Sequence, residues 1–267
     1  MDIFHLILLA IIQGLTEFLP VSSSAHLILP AQLFGWEDQG PLIDVMAHFG
    51  SLFAVMIYFR KEVGEVLIGL TDLVRAKLNK GSALALHLIL ATPPALIVGA
   101  GMHFSGIDEL IRSPLLIACT FIFFGIVLWL ADIKGARARS IDTLTWKEAI
   151  GLGLAQTLAL IPGTSRSGIT MTAGLAMGLT REESARFSML MSIPIIGVGG
   201  LFALMKLMGG EQGAASLSDG LIVAGLSFIT AYAAIAIFMR WVSRIGMFPF
   251  MLYRVVAGLG LLLWVLL

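Results

Sequence analysis

Six runs of apolar residues, roughly 43 to 59, 84 to 101, 114 to 131, 187 to 207, 220 to 239 and 249 to 267, are long enough to cross a bilayer. A spanning helix needs about 20 such residues, whereas a barrel strand alternates over only about 10. The chain therefore reads as an all-α polytopic membrane protein. Its composition agrees, with 58% hydrophobic and 13% charged residues and a mean hydropathy of +0.96, where soluble domains carry about 25% charge.

Two further segments, about 3 to 35 and 148 to 178, are apolar at both ends but broken in the middle by "PVSSSAH" and "PGTSRSG". Proline, glycine and hydroxyl residues interrupt the helical ladder there. Broken backbone at membrane depth survives only when it is buried in protein or lines a wet cavity. Both segments are read as re-entrant helix-turn-helix hairpins that enter and leave on one face. The N-terminal stretch lacks a basic leader and a cleavage pattern, so the first hairpin is expected to remain. The single cysteine, Cys119, excludes an intramolecular disulfide and a cysteine-based zinc cluster. With 17 basic and 17 acidic residues there is no net charge to attract a polyanion.

Charge placement orients the chain. With the N-terminus outside, the loops after spans one, three and five hold most of the 17 basic residues, among them Arg60, Lys61, Lys134, Arg139, Arg240 and Arg244. The positive-inside rule assigns those loops to the cytoplasm. The halves also match: Pro114, Gly125, Leu128 and Trp129 recur at one constant offset as Pro249, Gly260, Leu263 and Trp264. A hairpin plus three spans per half gives an odd number of crossings, so the halves would form an inverted repeat, about 1–131 and 148–267, within one integral membrane domain over 1–267. The two breaks would then meet near the midplane.

A charge in a bilayer costs roughly 2.5–3.5 kcal/mol on insertion scales, so intramembrane polar residues are functional candidates by default. In the first hairpin Gln13 and Glu17 share a helix face, followed by Ser22, Ser23, Ser24 and His26. In the second come Thr164, Ser165, Arg166, Ser167 and Thr170. Hydroxyl residues that cap a helix, exposed N–H groups, a positive dipole end and a forked guanidinium together suit a phosphate. Alternatively, Arg166 and Glu17 form a buried ion pair that holds the hairpins together. Ser23 or His26 could attack phosphorus, or Glu17 or His26 could activate water. Carboxylate and histidine ligands are too few for a metal held by protein alone, but Mg2+ or Ca2+ shared with substrate phosphates and Glu17 fits. Asp44 and His48 could extend the site, Arg254 pairs with a carboxylate or serves helix packing, and His5, His87 and His103 lie near interfaces.

"QGLTEFLPVSSSAH" and "PGTSRSGIT" resemble the two signature motifs of the bacterial undecaprenyl-diphosphatase family, also known for bacitracin resistance, and "HFGSLFAV" and "PFMLYR" extend the likeness over the whole chain. The resemblance implies hydrolysis of undecaprenyl diphosphate to the monophosphate carrier of peptidoglycan synthesis. It also implies a multi-pass inner-membrane location, an active site opening to the periplasmic side and Mg2+ or Ca2+ dependence; a homodimer is compatible with it. Glu17, Ser23, His26 and Arg166 become the expected catalytic residues, with Gln13, Ser22, Ser165, Ser167 and Thr170 as substrate-binding residues and Glu17 as metal ligand. Where the family often has S-S-T-G-H this chain has "SSSAH", and Gln13 stands where a second carboxylate is frequent. The rival function is a transporter or flippase of polyprenyl phosphate, because broken helices at the midplane of inverted repeats are also transporter architecture.

Overall fold

Proline, serine and glycine at the ends of the apolar runs become helix boundaries in the computed structural model, which describes residues 3–27, 35, 40–107, 111, 113–208 and 216–267. Eleven helices of eleven residues or more occur among the described residues: α1 Ile3–Thr16, α2 Gly40–Tyr58, α3 Arg60–Val74, α4 Lys80–Ala91, α5 Pro93–Ser105, α6 Pro114–Lys134, α7 Trp146–Thr157, α8 Arg166–Ala176, α9 Arg181–Met208, α10 Leu217–Ile245 and α11 Phe248–Leu266. Asn79, Thr145 and Ser216 close capping boxes on α4, α7 and α10. Prolines stand in the first turn of α5, α6 and α11, where a missing N–H costs nothing.

Among the described residues five segments are long and apolar enough to span: Lys80–Ser105, which joins α4 and α5, then α6, Arg181–Leu201 of α9, α10 and α11. A sixth arises if α2 and α3, bent by 88°, count as one. The protein is thus an all-α multi-pass membrane protein. One sequence expectation needs correction: the stretch after the first span, read as a loop, begins with helix α3. Charges at Arg60, Lys61, Glu62 and Glu65 hide its pattern, yet Leu67, Ile68 and Val74 are more than half exposed. Such an apolar face beside charges suits a helix lying in the membrane interface.

The second hairpin has arms of 12 and 11 residues in α7 and α8, about 18 and 16 Å at 1.5 Å per residue, too short to cross. Its base is closed by Arg139, which donates to Glu148 near the start of α7 at 2.5 Å and to the Met177 carbonyl at the end of α8 at 2.9 Å. The break lies at the opposite end, so the two arms are antiparallel. In the first hairpin, α1 and a helical stretch over 23–27 are described, whereas 28–34 of the expected second arm lie outside the described residues. Gly14 lets α1 press onto α10, since a Cβ there would sit 1.9 Å from Thr230 Oγ1. The central core joins Phe18 of the first break to Val55, Leu175, Phe187, Leu190 and Phe238.

The ends of the spans are tied together on one side. Arg181 at the start of α9 donates to Asp132 at the end of α6 at 2.6 and 2.9 Å and to the Ser243 carbonyl of α10 at 3.0 Å. Asp132 also accepts the Met247 N–H, just before α11, at 3.0 Å. Arg186 reaches Glu62 of α3 at 2.7 Å, and Lys80 meets Asp142 at 2.9 Å. Every loop assigned to one face by its basic residues therefore contributes to one polar end.

Candidate active site

The two breaks have the same local build. After Pro20, Ser22 adopts φ 71° and a helix begins at residue 23; after Pro162 and Gly163, Ser165 adopts φ 73° and caps α8. A left-handed conformation is strained for serine. In each break the serine hydroxyl lies 3.2 Å from that of the serine two residues on, Ser24 in one and Ser167 in the other. Gly163, at φ 88°, is confined as well as turned, since a Cβ would meet Thr120 Oγ1 at 2.1 Å.

The breaks also touch. Arg166, at the first position of α8, donates from Nη2 to Glu17 Oε1 at 3.1 Å and from Nη1 to the Ser188 carbonyl of α9 at 3.0 Å. Glu17 Oε2 accepts the Ser23 hydroxyl at 2.6 Å and the Gln13 amide at 3.0 Å, and His48 Nε2 lies 4.0 Å away. Ser167 donates to the Leu19 carbonyl across the gap at 2.8 Å. Thr170 joins Ser188 at 2.6 Å and bonds the Arg166 carbonyl at 2.8 Å, so it supports α8 beneath the arginine. Ser165 Oγ accepts the Gly168 N–H at 3.1 Å, and Thr164 Oγ1 is buried without a partner. Ser22, Ser165, Ser167 and Thr170 are all at most 4% exposed.

His26 is placed differently. Its Nδ1 lies 2.7 Å from the Ser22 carbonyl and so carries the proton, leaving Nε2 to accept the Tyr253 hydroxyl at 2.5 Å, with the two rings stacked. It makes no hydrogen bond to Glu17, Ser23 or Arg166. Neither Tyr253 nor Arg254 received a site role from the sequence. Arg254 is fully buried and, among the described residues, pairs with no carboxylate; its guanidinium donates to the carbonyls of Phe121, Pro20, Thr120 and Gly163. Because Pro20 and Gly163 belong to the two breaks, one arginine fastens both. The "PFMLYR" stretch was the available signal, but backbone carbonyls as partners leave no mark in a sequence.

A cavity of about 380 Å³ opens on this cluster, lined by Glu17, Arg166, Asp44, His48 and Gln156 on its polar side and by Ala95, Leu160 and Ile195 on its apolar side. Asp44 and His48 thus do extend the site. A second, apolar cavity of about 430 Å³ shares Ala95, Leu160, Ile195 and Gly199 with it and continues past Leu96, Phe104 and Val198. Among the described residues no group of three or more His, Cys, Asp or Glu could hold a metal. The orphaned, buried Gln13 Oε1 beside Glu17 is nevertheless an oxygen donor in reach of the pocket's acid, which suits a hard cation completed by ligand oxygens.

A family model described as Bacitracin resistance protein BacA matches residues 6–260 of the chain. The chain is 54% identical over 267 residues to an undecaprenyl-diphosphatase of Maricaulis maris, with 99% of both proteins covered. It is 51% identical over 265 residues to an undecaprenyl-diphosphatase of Alteromonas mediterranea, covering 99% of this chain and 98% of the relative. Against undecaprenyl-diphosphatase 1 of Pseudoalteromonas translucida the identity is 48% over 265 residues, with 99% of each covered.

Proposed function

The chain belongs to the bacitracin resistance protein BacA family, and from that membership and its pocket we propose that it hydrolyses undecaprenyl diphosphate to undecaprenyl phosphate and inorganic phosphate. The observation that carries this reading is the polar cavity holding Glu17 and Arg166 joined to an apolar one. A diphosphate on a polyprenyl chain has that division of chemistry: the phosphates meet Arg166 and the capped start of α8, and the first isoprene units follow Leu160 and Ile195.

In the ligand-free protein Arg166 rests on Glu17. A terminal phosphate draws the guanidinium onto its own oxygens, which frees the carboxylate. Ser23 already donates its proton toward Glu17, the arrangement of a nucleophile and its base. Attack forms a bond from Ser23 Oγ to the terminal phosphorus and breaks that phosphorus's bond to the bridging oxygen. The Ser23 proton passes to Glu17, and the lipid leaves as its monophosphate. Arg166 and the amide end of α8 stabilise charge on the transferring group. Glu17 hands the Ser23 proton to the departing monophosphate and then takes one from water, whose oxygen bonds phosphorus as the bond to Ser23 Oγ breaks; Glu17 returns this proton to Ser23 and inorganic phosphate leaves. Attack by His26 is less well supported, because Tyr253 covers its Nε2; His26 instead holds the Ser22 turn. Gln13 Oε1 and Glu17 would hold the Mg2+ or Ca2+, which when bound neutralises diphosphate charge.

We further place the N-terminus outside and the pocket open to the periplasmic side of a bacterial inner membrane, with the halves as an inverted repeat. The basic span ends gathered on one side support this orientation. The test is phosphate release from undecaprenyl diphosphate by the purified protein, with and without chelator. Release that falls on chelation and returns with Mg2+ or Ca2+ is expected, and a labelled phospho-enzyme should appear on rapid quench of the wild type and be lost in Ser23→Ala. Release without any such intermediate overturns the serine mechanism, and no release overturns the function.

A further inference from the structure

Gln156 is the part of the pocket to which the reaction above gives no task. It lines the cavity beside Glu17 and Arg166, is 2% exposed, and neither its Nε2 nor its Oε1 has a hydrogen-bond partner. An amide buried with both groups unmet is costly, and a leucine would fill the same space without that cost.

The likeness of the two breaks shows what it lacks. Aligning Ser22 with Ser165 brings Ser24 onto Ser167, Gln13 onto Gln156, and Glu17 onto Leu160. In the first break the glutamine donates to a carboxylate one turn away, from Gln13 Nε2 to Glu17 Oε2 at 3.0 Å. In the second break that turn carries Leu160, so Gln156 has the donor and no acceptor of its own. No described residue supplies that acceptor, which points to an anion from outside the chain.

We propose that Gln156 binds the lipid-linked phosphate of the substrate, the one that is not transferred. Leu160, one turn from Gln156, lines both the polar and the apolar cavity. The terminal phosphate belongs at Arg166 and Ser23, and the chain runs out past Leu160. The phosphate that joins them therefore lies at the mouth between the two cavities, where Gln156 Nε2 donates to a non-bridging oxygen and Oε1 accepts from that phosphate's hydration water.

This inference rests on the diphosphatase reading but is tested separately from it. One measurement is the steady-state kinetics of phosphate release from undecaprenyl diphosphate; the other is protection of the detergent-solubilised protein from thermal unfolding by undecaprenyl monophosphate, which retains only the lipid-linked phosphate. Gln156→Leu is expected to raise KM about tenfold with kcat within about threefold, as loss of ground-state binding does. It should lose most of the monophosphate's protection and, without ligand, melt no lower than wild type. A variant that melts lower while keeping its KM and its protection overturns the proposal, as does one indistinguishable from wild type. Should Gln156→Leu fail to fold, Gln156→Asn decides, because it keeps the amide but withdraws it: a raised KM supports binding and an unchanged KM overturns it. If the wild type releases no phosphate, the enzyme reading fails, and the comparison of monophosphate protection between wild type and variant still decides the role of Gln156.

Discussion

Arg166 is held at two unlike points, Glu17, whose carboxylate substrate can replace and whose carbonyl lies 3.5 Å away, and the Ser188 carbonyl, which it keeps. The Ser188 bond aims the guanidinium, so the side chain needs its fork. Arg166→Ala is expected to lower kcat by about 1000-fold, the scale of losing a preorganised charge stabiliser, and Arg166→Lys nearly as much, because a lysine is a point charge and cannot hold both directions; phosphate-release kinetics check both. Arg254 behaves in the opposite way. It touches carbonyls and no carboxylate, and its removal leaves the Pro20 and Gly163 carbonyls of the two breaks without a donor. Arg254→Met should destabilise the fold by about 3 kcal/mol or more, since each buried carbonyl left unsatisfied costs about 1–3 kcal/mol, read as a lower unfolding temperature in detergent even without substrate. The sequence distinguished these arginines poorly: both are single charges in apolar surroundings, and only the flanking proline, glycine and serines around Arg166 announced a broken helix. Gln156 went unremarked for a related reason. An amide in an apolar helix looks like packing until the cavity beside it and its missing partners are seen.

Each element was legible to the extent that its sequence admitted one solution. Twenty apolar residues have few alternatives in a bilayer, so the runs within α6, α10 and α11 appear close to where periodicity and length put them. The breaks were legible because proline and glycine forbid the ladder on their own. Helix α3 was not, since its charges match a cytoplasmic loop as well as an interfacial helix. The base of the second hairpin was also hidden, because Arg139 and Glu148 come together only when the chain returns at Met177. That link has a pH signature. The Arg139 hydrogen bonds, helped by the Thr145 cap, hold the Glu148 carboxyl down to about 2. A folded value below the ordinary carboxylate range of about 4.3 contributes stability that is complete above that range and lost as pH falls through the folded value. Both partners are partly exposed, so the pair is worth about 1 kcal/mol or less. Glu148→Gln should therefore melt slightly below wild type at neutral pH, with the gap constant above about pH 5 and closing toward pH 2; unfolding followed by tryptophan fluorescence across that range checks it.

At the scale of the whole molecule the question is which face is which. The ties among Asp132, Arg181, Ser243 and Met247 put the end of α6, the start of α9, the end of α10 and the approach to α11 on one side. From that side α11 runs as a single apolar helix to Leu266, so the C-terminus emerges on the other. Positively charged segments resist translocation, and most of the chain's basic residues lie in the loops of the tied side, which is why the orientation proposed above puts that side in the cytoplasm. In that proposed orientation Leu267 lies on the periplasmic face. A reporter that acquires activity only by forming disulfides, fused after Leu267, should be active, because such bonds persist in the periplasm and not in the cytosol. A reporter that folds only in the cytoplasm should stay dark at the same position, and exchanging the fusion point to the segment between α6 and α7 should reverse both signals. Reporters that read the other way round at both positions would invert the protein in the membrane. The pocket would then open to the cytoplasm, and a diphosphate lipid released outside would have to be flipped before this site could act on it.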